Sequence, residues 1–504
     1  MTYTLGISAG FHDAAASVID DQGNIVFAAH SERYSKVKHD SMLSPALLDA
    51  CFEYPISHVA YYERPWMHNL QQYVSGQMLL SEWTLKHRLR NLLGKHCRAD
   101  LSISCYPHHL SHAAAGFQTS PYDDATVVVI DAIGELDTAS IYHAYYDKKG
   151  NARYRKLWTQ RYPHSIGLFY SAITERVGLK PMDEEYITMG MAAFGPEKFK
   201  STLSEEILKT AMRDTYIKDT SKVEFKENFH IGISERDWAG MDIIEIASAG
   251  QSIAEELIAS VMYMARKLGK SENLVYMGGV ALNCVANRHL GFHYDNIWIM
   301  PNPGDAGSSL GAAALAHGKR LNWKSAYLGT DIPGEYPVNQ LLDQLLTSKI
   351  VGVASGKAEF GPRALGNRSL LADPRGNDIK DLVNTIKRRQ KFRPFAPVIL
   401  EEYAEQYFTM PKSFKQSPYM QVVAYCKEPN LFPAIVHVDG TSRVQTVPKD
   451  SNSGIRQLLE KWYVLTDCPM LLNTSLNIRG EPMVDDLEDA LRFEKLYNVK
   501  VCTP

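Results

Sequence analysis

Two segments of this chain share one order of strands and turns, and this recurrence limits the fold more than any other feature. One segment covers residues 2–27, TYTLGISAGFHDAAASVIDDQGNIVF, and the other covers residues 125–154, ATVVVIDAIGELDTASIYHAYYDKKGNARY. Each is typical of a strand, a turn of small and acidic residues, a second strand, a polar Gly-Asn turn and a third strand. A unit that recurs after about 120 residues predicts a duplicated α/β domain. The alternative is that similar hairpins recur by chance in a mixed sheet.

The length of the chain indicates more than one hydrophobic core. Its 504 residues exceed the roughly 250–300 residues at which single cores stop growing. Residues 319–349 are polar and contain Gly, Pro and Tyr, and a new apolar strand is predicted at Ile350–Ala354. We therefore predict a boundary within residues 335–348, with one domain at 1–340 and a second at 341–504.

Composition excludes several classes of protein. The formal net charge of −3 gives no global basic field for nucleic-acid binding. The seven cysteines are scattered and contain no CxxC pair, which favours buried thiols in a reducing compartment. The first residues lack the charged and apolar regions of a signal peptide. No apolar stretch reaches the roughly 18 residues of a membrane helix. The expected location is cytoplasmic, with no membrane association.

A histidine-rich segment, PHHLSHAAA at residues 107–115, is the first sign of chemistry. His108 and His112 are four residues apart, so on a helix they share one face and can bind one ion. Asp131 ends the apolar strand VVVID, and Asp305 lies in PGDAG. Two imidazoles with one or two carboxylates suit Fe(II), Mn(II) or Zn(II). The alternative is a helix with capping or core histidines, and His109, which points elsewhere, is expected to be structural.

Two glycine-rich segments are candidates for nucleotide contact. MGGVALN contains Gly278, Gly279 and Asn283, follows a predicted strand and opens a predicted helix. PGDAGSSLG, at residues 303–311, offers the same chemistry. Glycine allows a close approach of backbone to ligand, and N–H groups at the start of a helix favour anions. Ordinary tight turns are the alternative.

The C-terminal third is rich in arginine and small polar residues. Arginine binds phosphate through two parallel hydrogen bonds, so arginines on separate loops can form a clamp for a phosphate or a carboxylate. Serine and asparagine add neutral groups for a planar amide. The candidates are Arg363, Lys387, Arg389, Arg393, Arg443, Asn473 and Ser475. For the run at residues 387–393, a solvated basic surface is the alternative.

These segments together resemble one family, the carbamoyltransferases that include the nodulation-factor and tobramycin carbamoyltransferases. The resemblance covers nearly the whole chain in order. The matching segments are GISAGFHDAAA, HSERYSKVKHD, HHLSHAA, VVVIDAIGE, PHSIGLFYSAIT, MGMAAFG, GGVALNCVAN, PGDAGSSLGAA, EFGPRALGNRSLLADPR, FRPFAPVI, TSRVQTV and LLNTSLNIRGEPMV. It implies an actin-like N-terminal domain similar to TsaD and a YrdC-like α+β C-terminal domain.

The resemblance also implies an activity. The C-terminal domain would convert carbamoyl phosphate and ATP into carbamoyl adenylate, and the N-terminal domain would pass the carbamoyl group to a hydroxyl with iron bound. The implied metal ligands are His108, His112, Asp131 and Asp305. Contacts to carbamoyl phosphate and nucleotide would come from the C-terminal candidates above, with Arg363 among the catalytic residues. His12 matches a histidine of the family's first hairpin and could orient or deprotonate the hydroxyl. Lys38 is a weaker candidate, with a solvated lysine as the alternative.

Some positions depart from the family pattern. Leu476 replaces the phenylalanine of NTSFN, which is a packing change. The sequence KRRQK stands where KxRE is usual, so the phosphate contact among Lys387, Arg388 and Arg389 stays open.

Other functions and partners stay open at this point. The second candidate function is that of a threonylcarbamoyl-type tRNA-modifying enzyme, and the third is that of a non-catalytic nucleotide- or sugar-binding regulator. The acceptor is a sugar, an aminocyclitol or a hydroxymethylated nucleobase. Magnesium with ATP and a homodimer are also left open.

Overall fold

The computed structural model describes residues 2–74, 84–196, 199–209, 223–233, 238, 240–376 and 378–504. Across this part of the chain, strands and helices alternate, and the predicted mixed α/β class is confirmed. None of the described helices combines the length and the apolar character that a membrane span needs.

The first sheet has five strands in the order β3-β2-β1-β4-β5. They are β1 (Tyr3–Ser8), β2 (Ala15–Asp20), β3 (Ile25–His30), β4 (Ile56–Tyr61) and β5 (Ser102–Cys105). Strands β1, β4 and β5 run parallel. Every residue of β2 is buried, which is why its sequence AASVID is nearly continuous in small and apolar residues.

The second sheet has the order β8-β7-β6-β9-β10. Its strands are β6 (Asp124–Gly134), β7 (Asp137–Tyr146), β8 (Ala152–Arg161), β9 (Asn273–Met277) and β10 (Asn296–Trp298). Strands β6, β7 and β8 are antiparallel neighbours, whereas β9 and β10 continue the sheet in parallel with β6. Both segments that share a strand pattern therefore form three strands, and these take the same places in their sheets.

Helices connect these strands and extend to the C-terminus. Up to residue 317 they are α1 (Glu32–Ser35), α2 (Pro45–Cys51), α3 (Pro65–Val74), α4 (Leu85–Leu93), α5 (His108–Thr119), α6 (Ile166–Arg176), α7 (Glu185–Ala192), α8 (Lys200–Ile207), α9 (Ile243–Leu268), α10 (Cys284–Asn287) and α11 (Asp305–His317). Beyond it are α12 (Val338–Ser348), α13 (Ile379–Ile386), α14 (Ala404–Tyr407), α15 (Gly454–Thr466) and α16 (Leu487–Tyr497).

Apolar residues at helical spacing predict a helix over Ala249–Leu268. This stretch is the C-terminal part of α9, which begins six residues earlier. Asp242 accepts a hydrogen bond from a backbone N–H of the first turn, and the Glu245 side chain accepts one from the Asp242 N–H. This reciprocal capping fixes the start of the helix. The same spacing predicts a helix over residues 79–93. Residues Leu85–Leu93 are helical, and residues 79–83 lie outside the described part.

Small residues bring α5 and α11 unusually close. A Cβ atom added at Gly311 would lie 1.8 Å from the Ser111 carbonyl oxygen, and one at Gly116 would lie 2.5 Å from Val275. Real Cβ atoms do not approach other atoms so closely. Helix α11 also lies against β1, where a Cβ at Gly6 would be 2.0 Å from the Ser309 carbonyl oxygen. Only glycine permits this spacing, which determines where the first residues of both helices lie.

The C-terminal region contains three further sheets. A six-stranded sheet has the order β19-β15-β20-β14-β12-β21, formed by Gln445–Val447, Ala396–Leu400, Met470–Ser475, Arg368–Ala372, Ile350–Ala354 and Val501–Cys502. A pair consists of β11 (Tyr327–Ile332) and β13 (Gly356–Glu359), and a three-stranded sheet consists of β16 (Phe408–Thr409), β17 (Val423–Cys426) and β18 (Thr441–Arg443). One hydrophobic core, which includes Trp462 and Phe493, fills this region.

The chain divides into two compact units, each with several segments. The first comprises residues 1–8, 17–24 and 52–323, and the second comprises residues 9–16, 25–51 and 324–504. The domain boundary at 340/341 stays a prediction.

Replacing Gly311 with alanine should destabilise the protein. The added methyl group meets the Ser111 carbonyl oxygen, so α5 and α11 must move apart, at a cost of about 1–3 kcal/mol. The thermal unfolding midpoint should fall. Gly304→Ala is the matched control, because a Cβ there has ordinary contact with Gly279 at 4.0 Å. Equal midpoints for the two variants would contradict the close packing described here.

Candidate metal centre

Four side chains from three elements meet within the first unit. His108 and His112 lie on consecutive turns of α5, and their Nε2 atoms are 3.1 Å apart. Asp131 comes from β6, and Asp305 is the first residue of α11. One ligand atom from each lies within 4.8 Å of the others, and all four residues are mostly or fully buried. The structure therefore brings together the four residues that the sequence predicts as metal ligands.

The spacing of these atoms fits a single coordination sphere. His112 Nε2 lies 3.1 Å from Asp131 Oδ2 and 3.2 Å from Asp305 Oδ1. His108 Nε2 lies 3.3 Å from each of the same oxygens. An ion with ligands at about 2.0–2.1 Å separates neighbouring ligand atoms by about 2.9 Å in an octahedron and about 3.3 Å in a tetrahedron. The donor set and its spacing are therefore suited to a divalent transition metal.

Neighbouring groups orient the ligands. His112 Nδ1 donates to the Pro303 carbonyl oxygen at 3.1 Å, which leaves Nε2 for a metal. His108 Nδ1 is 3.7 Å from Oε2 of the buried Glu63. Asp131 Oδ1 accepts from the Ala132 N–H at 2.8 Å, so Oδ2 points to the imidazoles. Carbonyl and carboxylate partners of this kind fix the tautomer and the ring orientation of ligating histidines.

Electrostatics keeps the carboxylates charged. Burial alone would raise the pKa of Asp131, but His108 and His112 hold it well below its usual range. Burial likewise lowers the pKa of His108, and the carboxylates of Asp305 and Asp131 reverse that effect and raise it well above its ordinary value. The imidazoles and carboxylates thus compensate one another, and a bound cation would take the place of the imidazole protons.

His109 lies next to these ligands in sequence but has a different environment. Its Nδ1 is 2.8 Å from Ser140 Oγ, and burial lowers its pKa to about 3. The ring is therefore neutral at physiological pH.

The glycine-rich segment after β9 contacts the same centre. Gly278 has a φ of 93°, and a Cβ there would lie 2.1 Å from the Ile130 carbonyl oxygen. The Gly279 N–H points to Asp131 Oδ1 at 3.4 Å. The Asn283 amide caps α10 and exchanges hydrogen bonds with Gln251. Contacts within the protein thus engage these residues, which the sequence predicts as nucleotide contacts.

In the second unit, β20 carries two of the predicted ligand-binding residues, Asn473 and Ser475. Asn473 donates to the Ala364 carbonyl oxygen at 3.1 Å and to Gln445 Oε1 at 2.8 Å. Two residues further along the same face, Ser475 Oγ donates to Asn477 Oδ1 at 2.6 Å. The loop that follows Arg363 and the strand that follows Arg443 therefore both lie beside Asn473.

Among the buried polar atoms of the second unit that have no hydrogen-bond partner in the described part of the chain are Nε of Arg443 and Oδ1 of Asn473. Buried polar atoms are rarely left unpaired, because the loss of water is then uncompensated. A donor on an arginine and an amide acceptor would suit an anion and an amide N–H, respectively.

Lys387 is held inside the protein. Its Nζ contacts the carbonyl oxygens of Ser475 and Asn477 at 2.5 and 2.8 Å and their side-chain oxygens at 3.2 and 3.0 Å. Burial lowers the pKa of Lys387, and nearby Arg389 and Arg393 lower it further. Lys387 thus ties helix α13 to the end of β20.

The remaining predicted arginines are half-buried on loops. Arg389 Nε donates to Asn384 Oδ1 at 2.6 Å, and its guanidinium lies 4.1 Å from the Phe395 ring centre. Asn384 also donates to the Arg393 carbonyl oxygen at 3.0 Å. Arg363 lies in the loop after β13.

Sequence reasoning missed the residues that hold the loop of Arg363. Glu359 Oε1 accepts from the N–H groups of Leu365 and Asn367 at 2.7 and 2.9 Å. The fully buried Arg368 donates to five backbone carbonyl oxygens, including those of Asp485 and Thr330. Glu359 and Arg368 lie in the motif EFGPRALGNR, and this position could have marked them as site residues. Their structural role, however, depends on contacts with residues distant in sequence.

The other predicted catalytic residues lie in the second unit. His12 is partly exposed, and its Nδ1 is 3.0 Å from Asp13 Oδ2. Asp13 Oδ1 is 2.7 Å from Nδ1 of His39. Lys38 is half-buried in the loop before His39. Asp13 and His39 lie within motifs quoted from the sequence but were not predicted as site residues.

Comparison with known proteins identifies the family to which the sequence is similar. Residues 51–314 match the family model described as carbamoyltransferase N-terminus, and residues 342–502 match carbamoyltransferase C-terminus. An uncharacterized protein of Synechocystis is 32% identical over 98% of this chain and 94% of its own length.

Two named relatives add detail. Nodulation protein NolNO of Sinorhizobium fredii is 30% identical over 95% of this chain and 76% of its own length. The 3′-hydroxymethylcephem-O-carbamoyltransferase of Amycolatopsis lactamdurans is 26% identical over 96% of this chain and 94% of its own length.

His112→Ala should remove bound metal, because it deletes one of four ligand atoms. Protein purified with Fe(II), Mn(II) or Zn(II) should contain about one ion per chain, and the variant should lose most of it. Elemental analysis measures both. His109→Ala is the control, since this neighbouring ring contacts Ser140, and it should retain the ion. Equal metal content in His112→Ala and the unaltered protein would contradict the assignment.

Proposed function

This chain belongs to the carbamoyltransferase family, and we propose that it is an O-carbamoyltransferase that uses a divalent metal, ATP and carbamoyl phosphate. As a member of this family it is a transferase enzyme. The observation that carries the finer proposal is the buried cluster of His108, His112, Asp131 and Asp305. Burying two imidazoles and two carboxylates in one cluster is costly, and an ion held by all four would compensate for the solvent that they lose.

The proposed architecture is a duplicated actin-like domain followed by a YrdC-like domain. The equal strand order of the first two sheets supports the duplication. The separate core and sheets after residue 324 support a second functional domain.

The first proposed step activates the carbamoyl group in the C-terminal domain. Carbamoyl phosphate, ATP and water give carbamoyl adenylate, phosphate and pyrophosphate. Arg443 would bind phosphate oxygens through Nε, and Asn473 Oδ1 would accept a hydrogen bond from the carbamoyl NH₂; neither atom has a partner among the described residues. Arg363, Arg389 and Arg393 would add positive charge for the nucleotide. Lys387 and Ser475 would hold β20 and α13 in place.

The second proposed step transfers the carbamoyl group to a hydroxyl. The acceptor oxygen attacks the carbamoyl carbon, the bond to the phosphate oxygen breaks, and AMP leaves. A bound divalent ion, which we propose is Fe(II), supplies Lewis-acid stabilisation of developing negative charge. His108, His112, Asp131 and Asp305 would hold it. His12 would take the hydroxyl proton, and Lys38 would add positive charge.

The proposed class of acceptor is based on the hydroxyl that carbamoyl transfer requires and on the name of one relative. One relative is named for a hydroxymethyl group on a cephem, which is a primary hydroxyl next to a ring. We propose a small molecule with such a hydroxyl: a sugar, an aminocyclitol or a hydroxymethylated nucleobase.

The direct test is incubation of the purified protein with ATP, carbamoyl phosphate, Fe(II) and a panel of hydroxylated compounds. Carbamoylation should add about 43 Da to one acceptor, the result of replacing H with CONH₂. Omission of ATP, or of carbamoyl phosphate, should abolish the mass gain. A gain on unmodified tRNA alone would favour a tRNA-modifying enzyme instead.

Single substitutions should separate the two steps. His112→Ala should abolish carbamoyl transfer but leave formation of pyrophosphate from ATP and carbamoyl phosphate, because activation does not need the metal ligands. Arg443→Ala should reduce pyrophosphate formation about 100-fold or more through loss of a charged phosphate contact. Chromatography of nucleotides and products follows both. Loss of both steps in a folded His112→Ala protein would contradict the assignment of activation and transfer to different domains.

A further inference from the structure

Asp13 lies between two imidazoles in the second unit. Its Oδ2 is 3.0 Å from Nδ1 of His12, and its Oδ1 is 2.7 Å from Nδ1 of His39. Both distances are those of N–H donors facing a carboxylate. One carboxylate thus binds the Nδ1 edges of two histidines that are 27 positions apart in the sequence.

Backbone contacts hold this arrangement rigidly. The Gly10 N–H donates to the Ser41 carbonyl oxygen and the Ala14 N–H to the Asp40 carbonyl oxygen, each at 2.7 Å. Asp13 and His39 both have positive φ, 50° and 55°. Left-handed backbone at non-glycine residues is unfavourable and persists only where neighbouring structure enforces it. The two loops therefore fix the carboxylate and both rings.

The charges around Asp13 favour its ionised form. Burial would raise the pKa of Asp13, but hydrogen bonds from His12 and His39 hold it far below its usual range. Glu32 also faces the group, since its Oε2 accepts from the His39 N–H at 3.0 Å. His30 lies nearby, and burial lowers its pKa to about 4, so it is neutral.

We infer that Asp13 is a positioning residue that holds the Nδ1–H tautomer of His12, so that Nε2 is the basic nitrogen, and that His39 fixes Asp13 in turn. The inference rests on the proposed function for its role in catalysis. The acceptor O–H gives its proton to His12 Nε2 while the oxygen forms its bond to the carbamoyl carbon and AMP leaves. Asp13 keeps its charge and stabilises the imidazolium, as the carboxylate of a Ser-His-Asp triad does.

Removing the charge of Asp13 should affect chemistry more than binding. Asp13→Asn should lower kcat for carbamoyl transfer about 100-fold or more, with KM for the acceptor nearly unchanged. The acid limb of the pH–rate profile should move to lower pH, because the imidazolium loses its counter-charge. Pyrophosphate formation from ATP and carbamoyl phosphate should be retained. His39→Ala should cause a smaller fall in kcat in the same direction.

Asp21→Asn is the matched control. It removes the same charge from the exposed turn after β2 and should leave kcat and the pH profile as they are. An unchanged pH profile and kcat in Asp13→Asn would overturn the inference. Loss of a second bound metal ion in Asp13→Asn would overturn it too, because Asp13, Glu32 and His39 would then be metal ligands.

Nitrogen-15 spectroscopy of labelled histidine gives a readout that does not depend on activity. At a pH where His12 is neutral, the unaltered protein should show Nδ1–H, and Asp13→Asn should show a larger share of Nε2–H. Nε2–H in the unaltered protein would refute the positioning role. If no acceptor is ever carbamoylated, the proposed function fails, whereas the tautomer still decides whether Asp13 orients His12.

Discussion

The mutual compensation of four buried ionisable side chains is the constraint on which the first unit depends. Two imidazoles and two carboxylates are taken out of water at the meeting point of α5, β6 and the start of α11. Buried charges are tolerated only when partners of opposite sign or an ion replace the lost solvent. The packing that places them is made by glycine and alanine, because any side chain at Gly311 would collide with backbone. The candidate metal centre therefore depends on the close packing of the helices that carry its residues.

The second unit uses buried cations in a different way. Arg368 directs its donors to backbone carbonyl oxygens, and Lys387 directs its Nζ to two carbonyl and two side-chain oxygens, so both residues fix loops and strand ends. Glu359 does the same for backbone N–H groups. Arg443 and Asn473, whose Nε and Oδ1 have no partner in the described part of the chain, lie next to segments secured in this way. A rigid frame keeps such groups positioned for a ligand at low entropic cost.

The sequence predicted some of these features for identifiable reasons. His108 and His112 could be paired in advance, because helical periodicity places residues four apart on one face. The strand triplets at 2–27 and 125–154 were readable from alternating and apolar runs between Gly-Asn turns. No periodicity or strand pattern pointed to Glu63, Asp13 or His39, since their partners depend on how separate segments fold together. The phosphate contact predicted for Lys387 stays a prediction, and its contacts with Ser475 and Asn477 are visible only in three dimensions.

By itself, the sequence determined the family, the mixed α/β class and the identity of the candidate ligands, because local periodicity and ordered motifs are written along the chain. The tertiary structure alone decided the distances among those ligands, the tautomer-setting contact of His112 with Pro303 and the bridge from Asp13 to two histidines. These depend on packing between segments far apart in sequence, and a hydrogen bond or coordination sphere requires placement within a few tenths of an ångström.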